Sequence, residues 1–178
     1  MKNIYLIGFM GSGKTTAGRA LAKRLGLRFA DTDLLAQKLT GFSAADFIRK
    51  RGLKAWRKTE RSVFKAAARA GGSVVALGGG IMPTKALSPL FRKSGITVYL
   101  KCGEAGLLKR LAKDLARRPL LGGGPGKAKL AIARLLKKRS PYYEKADFKL
   151  DTQGLTPAQT AAKIAKMVRG CYGNHPDQ

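Results

Sequence analysis

At 178 residues the chain is long enough to bury a substantial core and of a length that suits one domain, and 36 Lys and Arg against 10 Asp and Glu give it a formal charge of +26. Its N-terminal apolar run, about seven residues, is too short for a membrane span or a secretory core. Two distant cysteines, Cys102 and Cys171, with no C-x-x-C pair and no histidine at metal spacing, exclude a disulfide framework and a zinc site and read as buried thiols. The expectation is a cytoplasmic protein with no membrane partner, whose surface binds polyanions nonspecifically and in a salt-dependent way. The basic residues are spread over nearly every helical pattern without a basic tail or regular aromatic interleaving, which argues against dedicated nucleic-acid recognition.

Short apolar runs alternate with helical patterns, the signature of a parallel sheet covered by helices, hence an α/β chain. Residues 4–7 form the first strand and run into Gly8-Phe9-Met10-Gly11-Ser12-Gly13-Lys14-Thr15, which fits G-x-x-x-x-G-K-[ST] in a strand–loop–helix setting. Gly8, Gly11 and Gly13 free the backbone to aim successive N–H groups at phosphate oxygens. Lys14 adds a point charge for the β- and γ-phosphates, Thr15 offers a hydroxyl to Mg²⁺, and the following helix N-terminus favours anions. Gly11, Ser12, Gly13, Lys14, Thr15 and Thr16 are thus the expected ATP-binding segment. The helix carries Ala17, Leu21 and Leu25 at a helical period and stops at Gly26; a strand over 28–30 follows and ends in Asp31-Thr32-Asp33.

Helices are expected over 43–51 and 53–70, a strand over 74–77, then Gly78-Gly79-Gly80, a helix over 84–91, a strand over 97–100 and a helix over 104–115. Arg118-Pro119-Leu120-Leu121 leads into Gly122-Gly123-Gly124-Pro125-Gly126, and a helix over 127–138 and a strand over 148–150 follow. The last helix covers 156–168, with Thr156-Pro157 as N-cap and first-turn pair, ahead of a flexible polar tail over 173–178 that holds His175.

Ligands in open α/β sheets bind beyond the carboxyl ends of the strands. The phosphate loop, Asp31-Thr32-Asp33 and Gly78-Gly79-Gly80 each follow a predicted strand, so all three fall on one edge. One carboxylate there can serve the metal and another can orient an acceptor hydroxyl and take its proton. Asp31 as a helix cap and Asp33 as a first-turn residue is the competing reading. Three glycines in a row suit either a plain turn or a backbone surface for a small ligand.

The phosphate loop, Asp31-Thr32-Asp33, Trp56-Arg57 with Glu60, Gly78-Gly79-Gly80, Arg118-Pro119-Leu120-Leu121 and Arg139 before Tyr142-Tyr143 occur in the order and spacing of shikimate kinases. The chain resembles that family from Met1 to about residue 168, a P-loop kinase family related to nucleoside monophosphate kinases. The resemblance implies a three-layer P-loop kinase fold with a five-stranded parallel sheet, a single domain over 1–172 and a mobile lid over about 113–127. It implies a monomer that uses ATP and Mg²⁺ to phosphorylate the 3-hydroxyl of shikimate. Lys14, Asp33 and Arg118 are then catalytic. Thr15 and Asp31 attend the metal, and Arg110, Arg118 and Pro157 join the nucleotide site. Asp33, Arg57, Gly78, Gly79, Gly80 and Arg139 hold the acceptor, the two arginines on its carboxylate, with Glu60 steadying Arg57. Leu53 departs from the family, which carries Glu after the glycine at this point. The competing enzyme is a related kinase such as one acting on gluconate; a nucleotide module with a nucleic-acid-binding surface is the reading from another class.

Overall fold

The computed structural model describes residues 1–112, 115, 119–121 and 125–172. Five strands, β1 (Asn3–Ile7), β2 (Arg28–Asp31), β3 (Ser73–Ala76), β4 (Gly95–Lys101) and β5 (Phe148–Asp151), form one parallel sheet in the order β2-β3-β1-β4-β5. β1 lies at the centre, with Leu6 in register with Ala76 on one side and Val98 on the other. All five of its residues are buried, as a strand covered on both faces requires.

The period-2 alternation sorts the strands' side chains between two cores. On one face Ile4, Leu6, Val74, Val98 and Leu100 meet Ala17 and Leu21 of α1 (Lys14–Leu25) and Ile164 and Val168 of α7 (Pro157–Tyr172). On the other, Tyr5, Ile7, Val75, Leu77 and Tyr99 meet Phe64 of α3 (Ala44–Ala70), Phe91 of α4 (Ser88–Ser94) and Tyr143 of α6 (Pro125–Tyr143). A third cluster joins Phe9 and Cys102 to α5 (Glu104–Leu111) and α6, and a fourth packs α2 (Thr32–Thr40) on α3 through Ala36, Phe47, Trp56 and Val63. The result is the three-layer arrangement expected, and every predicted strand is present.

Gly26 closes α1 in the left-handed region, and Thr156 opens α7, its Oγ1 accepting from Gln159 N at 3.2 Å. The expected break between 43–51 and 53–70 is present as a kink inside α3: Gly52 stands at φ 80°, ψ 160°. The helix expected over 84–91 instead begins at Ser88, because Pro89, which has no N–H to give, is at home in a first turn; residues 84–87 form a turn closed on Thr84 O. α6 runs on to Tyr143, past Pro141 and the expected end at 138, held by buried Arg139 and Tyr143. Thr32–Thr40 is a helix, with Asp31 as its cap and Asp33 in its first turn, as the competing reading of these residues has it. Cys102 is buried as expected, but Cys171 is exposed on the last turn of α7. His175 lies outside the described residues, and among those residues no helix is long and apolar enough to cross a membrane.

Gly52 occupies backbone space that only glycine visits freely, while a Cβ there would meet nothing within 4 Å. Gly52→Ala therefore isolates backbone strain: the urea midpoint should fall by the equivalent of about 1–3 kcal/mol with an unchanged m-value.

Candidate active site

The loop between β1 and α1 depends on glycine for two reasons. Gly8, Gly11 and Gly13 stand at φ 145°, 79° and 92°. In addition, a Cβ on Gly8 would lie 2.7 Å from Leu100 O, and one on Gly11 2.8 Å from Leu111 Cγ. Lys14, 9% exposed, curls over this loop and donates from Nζ to Gly8 O at 3.0 Å and Phe9 O at 2.8 Å. Thr15 Oγ1 donates to Asp31 Oδ2 at 2.7 Å, while Asp31 Oδ1 accepts from Asp33 N at 2.9 Å and Leu34 N at 3.3 Å. Asp31 thus caps α2 and reaches the phosphate loop at once.

A cleft of about 410 Å³ opens over this loop, lined by Gly11, Ser12, Gly13, Lys14, Thr15 and Thr16 together with Asp31, Asp33, Arg110, Leu155 and Pro157. Arg110 is fixed against it: its guanidinium donates to Ser12 O at 3.3 Å and to Thr152 O at 2.8 Å. Thr152 in turn donates to Lys101 O, tying the loop after β5 to the end of β4.

Beside the cleft lies a cavity of about 90 Å³ lined by Asp33, Trp56, Arg57, Glu60, Gly79, Gly80, Leu120 and Arg139. Its glycine wall permits contacts that a side chain would block. A Cβ on Gly80 would collide with the Arg57 guanidinium, one on Gly78 with the Asp33 carboxylate, and one on Gly79 would lie 3.1 Å from Arg139 Nη1. Arg57 pairs with Glu60, which is 2% exposed, and burial pushes the Glu60 carboxyl above its ordinary range, opposed by the Arg57 charge. Arg139 is 5% exposed, its guanidinium 5.6 Å from the Phe9 ring centroid, and its Nη1 has no hydrogen-bond partner. A buried donor of this kind calls for an acceptor in the cavity.

The predicted site residues within the described chain line these two cavities except Gly78, which lies against Asp33 and Glu60; Arg118 and most of residues 113–124 lie outside the described residues. Leu53, the departure from the family pattern, is exposed, and Arg57 has Glu60 as its ion-pair partner. Two site residues escape sequence reasoning. Thr32 Oγ1 accepts from Gly78 N at 2.8 Å, and Tyr143 donates its hydroxyl to Gly79 O at 3.0 Å. Position between two aspartates is the one signal Thr32 gives, and Tyr143 gives its spacing of one helical turn from Arg139.

A phosphate loop at the end of the central strand, with a small polar cavity across a shared carboxylate, defines an ATP-dependent phosphotransferase for a small hydroxylated acceptor. The shikimate kinase family model matches residues 10–169. A shikimate kinase of Thermodesulfovibrio yellowstonii is 40% identical over 93% of this chain and 94% of its own. One of Caldanaerobacter subterraneus is 36% identical over 93% and 95%. The solved shikimate kinase of Acinetobacter baumannii, in complex with shikimate, superposes with a TM-score of 0.90 at 31% identity, covering 98% of this chain and 96% of that one. The chain belongs to the shikimate kinase family.

The raised carboxyl of Glu60 has a thermodynamic consequence. A folded-state pKa above the ordinary 4.5 means the folded chain binds this proton more tightly than the unfolded one, so stability is lost as pH rises through the folded value. The urea midpoint of Glu60→Gln should gain on that of the parent as pH is raised from 4.5 toward neutrality. A constant difference across that range would show that Glu60 ionises normally.

Proposed function

We propose that this chain transfers the γ-phosphoryl group of ATP to the 3-hydroxyl of shikimate, giving shikimate 3-phosphate and ADP for aromatic amino-acid biosynthesis. In this reading it acts in the cytoplasm as a monomeric single domain. The observation that carries the proposal is the smaller cavity: two guanidiniums, one with an unsatisfied buried N–H, and the carboxylates of Asp33 and Glu60 meet there against glycine backbone. That set suits a small molecule bearing one carboxylate and several hydroxyls.

Arg57 and Arg139 hold the acceptor's carboxylate, for which a planar guanidinium offers paired N–H donors. Glu60 fixes Arg57, and the backbone of Gly78, Gly79 and Gly80 lets the acceptor approach closely. Asp33, which lines both cavities, accepts the hydrogen bond of the attacking hydroxyl and takes its proton as attack proceeds. Lys14 exchanges the carbonyls of Gly8 and Phe9 for β- and γ-phosphate oxygens, and the loop N–H groups of Gly11 to Thr16 cradle the same phosphates. Arg110 and Pro157 flank the base. Arg118, on a lid over 113–127, brings positive charge to the transferring group as the lid closes and water is excluded.

The oxygens of Thr15 and Asp31, 2.7 Å apart at the mouth of the loop, suit Mg²⁺. This is a hard cation that takes few protein oxygens and completes its shell with water and phosphate. Bound there, it would neutralise charge on the β- and γ-phosphates.

ADP release from Mg-ATP should require shikimate and not occur with gluconate as acceptor; the reverse preference would overturn the assignment. Lys14→Met should abolish transfer. Asp33→Asn should lower kcat by about a hundredfold or more with a smaller change in ATP affinity, as expected for loss of a general base. Arg57→Ala should chiefly raise the KM for shikimate, and an unchanged KM would remove Arg57 from the pocket.

A further inference from the structure

Basic residues that look scattered in the sequence are gathered in space on α3. Beyond the kink at Gly52, Lys54, Lys58, Arg61, Lys65 and Arg69 follow one another at intervals of three or four residues, all exposed. At 3.6 residues per turn they occupy an arc of about 80°. The buried residues Trp56, Glu60, Val63 and Phe64 lie on the other side of the helix. None of the five forms a salt bridge among the described residues. The one acid on this stretch, Glu60, is buried and committed to Arg57. α4 packs beside α3, exposes Arg92 and Lys93, and contains no acid.

An exposed helix face ordinarily intersperses both signs, and like charges at i,i+4 repel. A one-sign stripe is relieved by a partner that brings regularly spaced negative charge. We propose that the outer face of α3 is a docking surface for the phosphate backbone of nucleic acid. The stripe runs about 22 Å along the helix, which matches about six phosphate steps of one strand. An anionic membrane fits less well, since surface-lying helices insert an apolar face and that of α3 is spent in the core. A folded acidic protein fits less well too, because the stripe offers no aromatic or apolar anchor. Trp56 and Glu60 turn the opposite side of the same helix to the kinase cavity, so docking leaves that cavity open.

The test uses the full chain and fluorescently labelled oligonucleotides, single- and double-stranded, RNA and DNA, titrated by anisotropy between about 50 and 200 mM salt. A stripe variant, Lys54→Gln with Lys58→Gln, Arg61→Gln and Lys65→Gln, is compared with Lys23→Gln, Arg24→Gln, Lys163→Gln and Lys166→Gln on α1 and α7. The two variants remove the same residue types and the same charge. Each retained phosphate contact adds about 0.9 to the salt slope on a duplex, so the stripe variant should flatten that slope by about three to four and weaken binding at least tenfold or so. The α1 and α7 variant should change much less. RNA and DNA should bind alike, because the recognised group is the phosphate. Retained ADP-release activity and a melting temperature no lower than the parent's confirm that both variants fold. Equal losses in the two variants would reduce the effect to net charge and overturn the assignment to α3. So would binding to phosphatidylserine vesicles without binding to oligonucleotides, or a strong preference for one base sequence.

Discussion

The site depends on backbone without side chains at Gly78, Gly79 and Gly80, where three charged groups from different elements press against the end of β3. Asp33 comes from α2, Arg57 from α3 and Arg139 from α6, and a Cβ on the respective glycine would meet each of them. These glycines are required by close approach rather than by a left-handed turn, since their φ angles are not positive. A substitution in this loop would move the charged groups apart before it disturbed the backbone. The phosphate loop uses glycine for the other reason as well, three of its residues standing at positive φ.

Acidic residues are scarce, and the site uses several of them. Asp31, Asp33 and Glu60, three of the ten in the chain, lie within it, although the whole molecule carries +26. Each holds a cation donor or backbone N–H or lines a cavity, and the protein field around them favours anionic ligands approaching the edge of the sheet. Burial makes the arrangement costly: Glu60 has a raised carboxyl, and Arg139 keeps a donor without a partner. Groups left in this state lower stability and await a ligand, which is the usual relation between a preorganised site and the fold that carries it.

Much of this was legible in the sequence, for identifiable reasons. The strands announced themselves because a sheet buried on both faces needs unbroken apolar runs. The phosphate loop announced itself because its glycines, lysine and threonine are adjacent in the chain. Even the kink at Gly52 could be read, since glycine there separates two amphipathic stretches. The beginning of α4 was misplaced because Pro89 marks a first turn only once the turn before it is known. Cys171 is exposed because α7 extends past its last core residue, Val168, and a thiol's burial cannot be read from spacing alone. The partners of Thr32 and Tyr143 could not be read from local pattern, because each hydrogen bond spans more than forty residues of chain.

Those two bonds nevertheless brace the wall of the smaller cavity. Thr32 holds the N–H of Gly78 and Tyr143 holds the carbonyl of Gly79, so α2 and α6 grip the same loop by neutral hydrogen bonds. The next residue after Thr32 is Asp33, and one turn before Tyr143 is Arg139. Each charged group therefore has a neighbour on its own helix that is bonded to the glycine loop. Tyr143 is fully buried and its ring stacks on Tyr99 at 5.2 Å, which anchors this grip in the sheet core. The glycine wall of the cavity is thus braced from two helices, and bracing of that kind is what electrostatic stabilisation without reorganisation requires.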